Sequence, residues 1–179
     1  MLKLNLGCGW RNFGEDWIHI DGGSYSHLHS RDIVNLPFEN NSVDLIYASH
    51  VFEYFNRQEG EELLNKWYIK LKPEGILRLA VPDFQKIAYL YAFENIPLVK
   101  FLGPLYGKIQ MSDKTIYHKT TYDFVDLQIL LRKCKFKEVE RYDWQKTEHA
   151  QFDDYSQAYI PHMDKENGTL ISLNIQAVK

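Results

Sequence analysis

The chain has little of what marks a special case. It has only 2 cysteines, Cys8 and Cys134, far apart in sequence and in no metal-ligand pattern, which excludes a disulfide framework. No apolar run approaches the length of a membrane span, so a membrane partner is not expected. There is no internal repeat and no low-complexity tract. Neither charge sign dominates: the net charge of −3 gives no basic field for nucleic acid. The one basic run, Arg132 to Lys137, reads as a helix C-terminus whose cations complement the dipole. Met1 leads straight into a strand pattern, so no secretory leader is expected and a cytoplasmic protein is the default.

What the chain does have is enough apolar residues for one core: 179 residues, 45% hydrophobic, read as a single domain over 1–179. Aromatics are abundant, and the 12 tyrosines suggest a pocket or interface where an apolar body needs a polar tip. The most informative stretch is the start. Leu4-Asn5-Leu6-Gly7-Cys8-Gly9 is an apolar strand running into a glycine turn, and Trp17 to Asp21 is a second strand ending on an acid. Glycines let backbone N–H groups approach a ligand, and an acid at a strand tip can accept both hydroxyls of a ribose. This is the layout of an adenosine-type cofactor site in an open α/β sheet.

Only seven residues separate Gly9 from Trp17, too few for a full crossover helix, so the early connections are shortened. Arg31 to Val34 reads as a short third strand, and Val43 to Tyr47 as a central strand buried on both faces. Asn56 with Glu59 predicts a capped helix over 57–71, with Leu63, Leu64, Trp67 and Leu71 on one face. Ile76 to Val81 is the next strand, ended by Pro82. Thr120 or Thr121 is expected to cap a helix to about Lys133. Strands are expected at 137–144 and 170–178, the last alternating as an antiparallel strand that closes the sheet.

These stretches together resemble the class I S-adenosylmethionine-dependent methyltransferases, in particular a branch of small bacterial predicted methyltransferases. LNLGCG resembles the family's glycine motif and WIHID its second strand and acid. RDIVNLPFENNSVDLIYASHVFEYF is similar to the third-strand acid and the fourth strand with its trailing segment. LKPEGILRLAVPDF and HKTTYDFVDLQILLRKCKFKEV are similar to the later helix and strand passages. The resemblance implies a Rossmann-like, mostly parallel α/β sheet with an antiparallel last strand, and S-adenosylmethionine as cofactor. The chain departs from the family in three places. Asn5 stands where an acid is common, Tyr54 stands where a histidine often follows Glu53, and the first crossover is truncated. A nicotinamide site is disfavoured because Asn12 replaces the third glycine of GxGxxG.

The cofactor set expected is Leu6, Gly7, Cys8, Gly9, Arg11, Asp21, Gly22, Asp32, Ile33, Ser49 and His50. Asp21 would hold the ribose and Asp32 with the Ile33 backbone the adenine; Arg11 would supply charge for the carboxylate. Cys8 is expected to pack rather than react. His118, His162 and His50 are the candidate bases, histidine being suited to proton transfer near pH 7. Asp83, Tyr122, Tyr155 and Tyr159 are candidate acceptor contacts, although Asp83 reads equally as a helix cap. No metal is expected, since the acids and histidines of 118–164 match no ligand spacing. Segments 82–120 and 145–168 are expected to form the lid. The expected reaction is methyl transfer to a small polar acceptor such as a sugar, nucleoside or metabolite. Alternatives are a catalytically inactive cofactor-binding protein and, behind it, a nicotinamide oxidoreductase.

Overall fold

Alternation along the strands decides the architecture. The computed structural model describes residues 1–111 and 114–179. In chain order the elements are β1 (Lys3–Leu6), β2 (Trp17–Ile20), β3 (Val43–Ser49), α1 (Arg57–Lys70), β4 (Leu71–Pro82), α2 (Phe84–Phe93) and α3 (Leu102–Tyr106). There follow β5 (Ile109–Met111), β6 (Lys114–Ile116), α4 (Phe124–Lys133), β7 (Lys137–Arg141), β8 (Tyr159–Ile160), β9 (Thr169–Leu170) and β10 (Ser172–Val178). Six strands form one sheet in the order β2-β1-β3-β4-β10-β7. The first four are parallel, and β10 runs antiparallel to both β4 and β7. The expected antiparallel strand is therefore present, but it lies inside the sheet and β7 forms the edge.

The two faces of the sheet differ. Leu4, Leu6, Ile46, Ala48, Leu77, Leu79, Leu173 and Ile175 point to one side and are buried. There they meet Leu63, Leu64 and Trp67 of α1 and Leu127 and Leu131 of α4, as helix periodicity requires. A capping box closes the N-terminus of α1: Asn56 accepts from Glu59 N and Glu59 accepts from Asn56 N. The opposite face carries Leu45 and Tyr47, packed with Phe13, Trp17 and Phe152. No full helix covers it; residues 142–158 do so with two single 3-10 turns. Tyr47 donates to Asp154 at 2.6 Å and Asn174 Nδ2 to the Ser156 carbonyl at 2.8 Å, which pins this strap to the sheet.

Two expectations need correction. Residues 31–34 form no strand; one parallel bridge, Ile20 to Ser30, is all that remains of it. The reason is local. Asp32 Oδ1 accepts from Val34 N at 2.8 Å and Asn35 N at 2.9 Å, a tight side-chain turn that competes with extension. The cap of α4 is Asp123, accepting from Asp126 N at 2.9 Å, rather than Thr120 or Thr121. Among the described residues no helix is long and apolar enough to cross a membrane.

His149 sits in the aromatic face. Its ring stacks on Phe13 at 5.4 Å and lies 4.2 Å from the Tyr47 ring, and neither ring nitrogen has a partner. Burial holds its pKa down to about 4, and that of His19 to about 4. A pKa below the unfolded value means stability that is complete above about pH 6.5 and is lost as pH falls toward 4. His149→Phe is therefore expected to flatten this acid limb and to stabilise the fold by about 1 kcal/mol or more near pH 5. Urea unfolding near pH 7 and near pH 5 checks it; equal acid sensitivity in both proteins would place the titration elsewhere.

Candidate active site

The carboxyl ends of β1, β2 and β3 come together around the glycine turn. Gly7 has φ +69°, and a Cβ there would lie 2.0 Å from Val51 Cγ2. No other residue fits that approach. Gly7 N donates to the Ile20 carbonyl at 2.7 Å, tying the turn to β2. Gly9, with φ +58°, faces open space. Its N–H donates to Asp21 Oδ2 at 2.8 Å, and Gly23 N donates to Oδ1 at 2.6 Å. Two backbone donors thus fix the Asp21 carboxylate at the strand tip, with a lone pair free on each oxygen for a diol. Level with it, Ser49 presents a buried hydroxyl that has no partner. A clamped acid, an open glycine and an orphaned hydroxyl at the ends of three parallel strands suit an adenosine cofactor with a polar tail.

The remaining expected cofactor residues have assorted roles. Leu6 is fully buried at the end of β1. A Cβ on Gly22 would lie 2.6 Å from Met111 Cε, so the β5–β6 hairpin reaches the ribose end of the site. The Arg11 guanidinium lies over Tyr155 at 5.1 Å and donates to the Asp153 carbonyl at 2.7 Å. Asp32 is exposed, and its hydrogen bonds within its own turn hold its carboxyl below the usual range. The Ile33 carbonyl accepts from the Trp67 indole at 2.8 Å. Burial pushes the Cys8 thiol up to about 12, so it is protonated and unreactive at neutral pH.

Beside the glycine turn lies a cavity of about 520 Å³. His50, His118, His162, Tyr155 and Tyr159 all line it, together with Tyr54. Most of the remaining wall is apolar, including Ile96, Pro97, Pro104, Ile160, Pro161 and Ile171. Tyr155 links the cavity to the cofactor end, since its ring is 5.5 Å from His50 and close to Arg11.

Behind the histidines is Glu53, with a completely buried side chain whose two oxygens have no hydrogen-bond partner among the described residues. Oε1 lies 3.2 Å from His50 Nδ1 and 3.7 Å from His118 Nε2. These contacts are close but not aligned as hydrogen bonds. The surrounding network assigns the tautomers. Asn174 donates to the Ser156 carbonyl, which turns its Oδ1 to Ser172. Ser172 Oγ donates to that oxygen at 2.9 Å and is left to accept from His50 Nε2 at 3.2 Å. His118 Nδ1 is 3.0 Å from the Pro104 carbonyl and must donate to it. Both histidines therefore turn their second nitrogen to one carboxylate oxygen. Burial holds His118 below the ordinary histidine value while Glu53 pulls it upward. The His50 backbone, at φ +52°, is in the left-handed region that aims a side chain out of a strand end.

Two expected acceptor contacts stand apart. Asp83 is buried, caps α2 through Lys86 N and pairs with Arg141 at 3.1 Å. Tyr122 stacks on Phe52 at 5.3 Å under the Arg57 guanidinium. Neither lines the cavity. Glu53 was not in the expected set, whereas the 96–109 wall lies within the segment 82–120 expected to form the lid. Glu53 had a sequence signal: it is the one acid in the apolar run Val51 to Phe55, and a buried acid needs a partner. Of segment 82–120, Ser112 and Asp113 lie outside the described residues. Among the described residues no group of three or more His, Cys, Asp or Glu side chains could hold a metal ion.

Comparison with known proteins gives three findings. A family model for methyltransferase domains matches residues 4–79. A demethylmenaquinone methyltransferase of Staphylococcus haemolyticus is 29% identical over 126 residues, covering 64% of this chain and 49% of that protein. The chain thus spans about half the length of that relative. Among solved structures, a SAM-dependent methyltransferase from Archaeoglobus fulgidus superposes with TM-score 0.60 at 16% identity, over 99% of this chain and 85% of its own. One from Mesorhizobium loti does so with TM-score 0.54 at 17% identity, over 99% and 90%. At such identities the structures speak for the fold alone.

The glycines separate packing from backbone strain. Gly7→Ala is expected to cost about 2–4 kcal/mol, because Val51 has no room to move and φ is positive. Gly9→Ala meets only the backbone penalty, about 1 kcal/mol. Thermal unfolding of both variants checks this, and an equal loss would mean that the Val51 contact is not limiting.

Proposed function

We propose that this chain is a class I S-adenosylmethionine-dependent methyltransferase, a reading supported by its similarity to methyltransferase domains, and that it methylates an acceptor with an apolar ring body and one ionisable hydroxyl. The observation that carries this reading is the apolar cavity whose polar corner is two histidines on a buried carboxylate. A sugar or nucleoside, as expected from sequence, would leave hydroxyls unpaired against Ile96, Pro97, Pro104 and Ile160. The name of the Staphylococcus haemolyticus relative, a quinone methyltransferase, is in keeping with an apolar ring. The cavity falls within the range of about 300–1,000 Å³ usual for small-molecule sites.

When bound, S-adenosylmethionine supplies an electrophilic methyl on a sulfonium. The chain's own residues do the rest. Asp21, fixed by the Gly9 and Gly23 N–H groups, would hold the ribose hydroxyls. The backbone of Leu6 to Gly9 and of Gly22, with Arg11 and Ser49, would hold the polar tail and frame the ribose. Asp32 and the Ile33 backbone would meet the adenine. Tyr155 and Tyr159 align the acceptor ring, while segments 82–120 and 145–168 close over it and exclude water. The acceptor's proton would be taken up where an imidazole nitrogen of His50 or His118 meets Glu53 Oε1, so that Glu53 stabilises the resulting imidazolium. His50 and His118 form the base with Glu53 as their positioning residue. His162, exposed at the rim, would serve as an orienting group.

Calorimetric titration should give micromolar binding of S-adenosylmethionine, weakened about tenfold to a hundredfold in Asp21→Ala. A panel of lipophilic phenols, nucleosides and sugars then identifies the acceptor class; turnover confined to nucleosides or sugars would overturn the apolar reading. His118→Gln should lower kcat about a hundredfold or more at unchanged cofactor affinity. The rate should fall in acid as the base protonates. Because Glu53 raises the His118 pKa, Glu53→Gln should move the acid limb to lower pH. An unmoved limb in that variant would remove Glu53 from the proton path.

A further inference from the structure

We propose that the outer face of residues 98–106 docks on an anionic lipid bilayer, from which an apolar acceptor enters the cavity. Residues 98–100 form a 3-10 turn that runs into α3. Side chains three and four apart share a face of such a segment. Phe101 and Leu105 face inward, packed with Ile87, Leu90 and Ile171. Leu98, Leu102 and Tyr106 take the opposite stripe, with Val99 beside them. Their exposures are 53% for Leu98, 67% for Val99, 43% for Leu102 and 62% for Tyr106. Exposed apolar residues scattered singly need no explanation, but four within nine positions of one segment form a patch.

Charge and the cavity say what covers it. Between Asn95 and Lys119 the sequence holds four lysines and a single acid, Asp113, within a chain of net charge −3. Lys119 pairs with Glu59 at 2.8 Å, whereas Lys100, Lys108 and Lys114 have no ion-pair partner among the described residues. An apolar stripe flanked by unpaired lysines complements anionic headgroups over an acyl boundary. The same segment is also a cavity wall: Gly103 and Pro104 line the cavity, and Lys100 and Lys108 stand exposed at its rim beside the outward stripe. An acceptor that is mostly apolar partitions into lipid, so a cavity wall seated on the bilayer lies where the acceptor is. The lack of a spanning run had argued against a membrane partner, but a surface-seated stripe requires no such run. The entry route rests on the apolar-acceptor reading, but the docking face itself does not.

Flotation of the full chain with phosphatidylcholine vesicles, with and without phosphatidylglycerol, tests the surface. Binding is expected to the anionic vesicles only, weakened by salt and reduced about tenfold or more in Val99→Asp and in Leu98→Asp. Both positions are exposed and outside the cavity lining, so thermal unfolding and S-adenosylmethionine affinity should match the parent. No binding to anionic vesicles, or equal binding by both variants, overturns the proposal. So does a dimer, seen by light scattering without lipid, that Val99→Asp dissociates, since the occupant is then a second copy. Vesicle binding without methylation of any lipophilic phenol would leave the surface standing and remove the acceptor reading. Methylation of such phenols without vesicle binding would do the reverse.

Discussion

A carboxylate cannot be buried alone, and much of this site follows from Glu53. Its side chain is fully enclosed and sees two imidazoles at one oxygen. Its backbone carbonyl accepts from Lys119 N at 2.8 Å, one residue beyond His118. The same residue therefore holds the start of the segment after β3 against the end of the arm that walls the cavity. Desolvation of an unpaired carboxylate would cost several kcal/mol, so the arm's return to this point is electrostatically required rather than incidental. Remove the charge and His118 loses the group that raises its proton affinity against burial.

The second organising fact is the inequality of the two sheet faces. Aliphatic side chains on one face meet α1 and α4, while rings and amides on the other meet a strap with little helix. Short early connections leave no crossover helix for that second face. The chain covers it instead with residues 142–158, and the strap then continues into Tyr155, Tyr159 and the cavity wall. Abbreviation at the start of the chain is thus connected to elaboration near its end.

Much of this was legible in the sequence, and the rest was hidden for physical reasons. The strands at 3–6, 17–20 and 43–49 and the capped helix α1 follow from periodicity and cap chemistry, which are local. The strand expected at 31–34 failed because the Asp32 side chain offers the backbone a competing turn, a choice that β-branched neighbours do not reveal. The glycine turn and Asp21 could be read because their geometry is set by residues within about twenty positions. The convergence of His50 with His118, 68 positions apart in sequence, could not be read, because it depends on how the arm folds back. Tyr122 and Asp83 looked like site residues for their chemistry, yet they join each other through a bridge that supports the α2 end of the sheet.

The contact between Met111 and Gly22 carries a last consequence. One arm of the chain lines the cavity at Ile109 and rests on Gly22, beside the clamped Asp21, two residues later. Ligands bound at both places would touch the same short strand, and any free energy by which one favours its position is returned to the other by the same factor. Such reciprocity would make the affinity of either pocket depend on what fills the other.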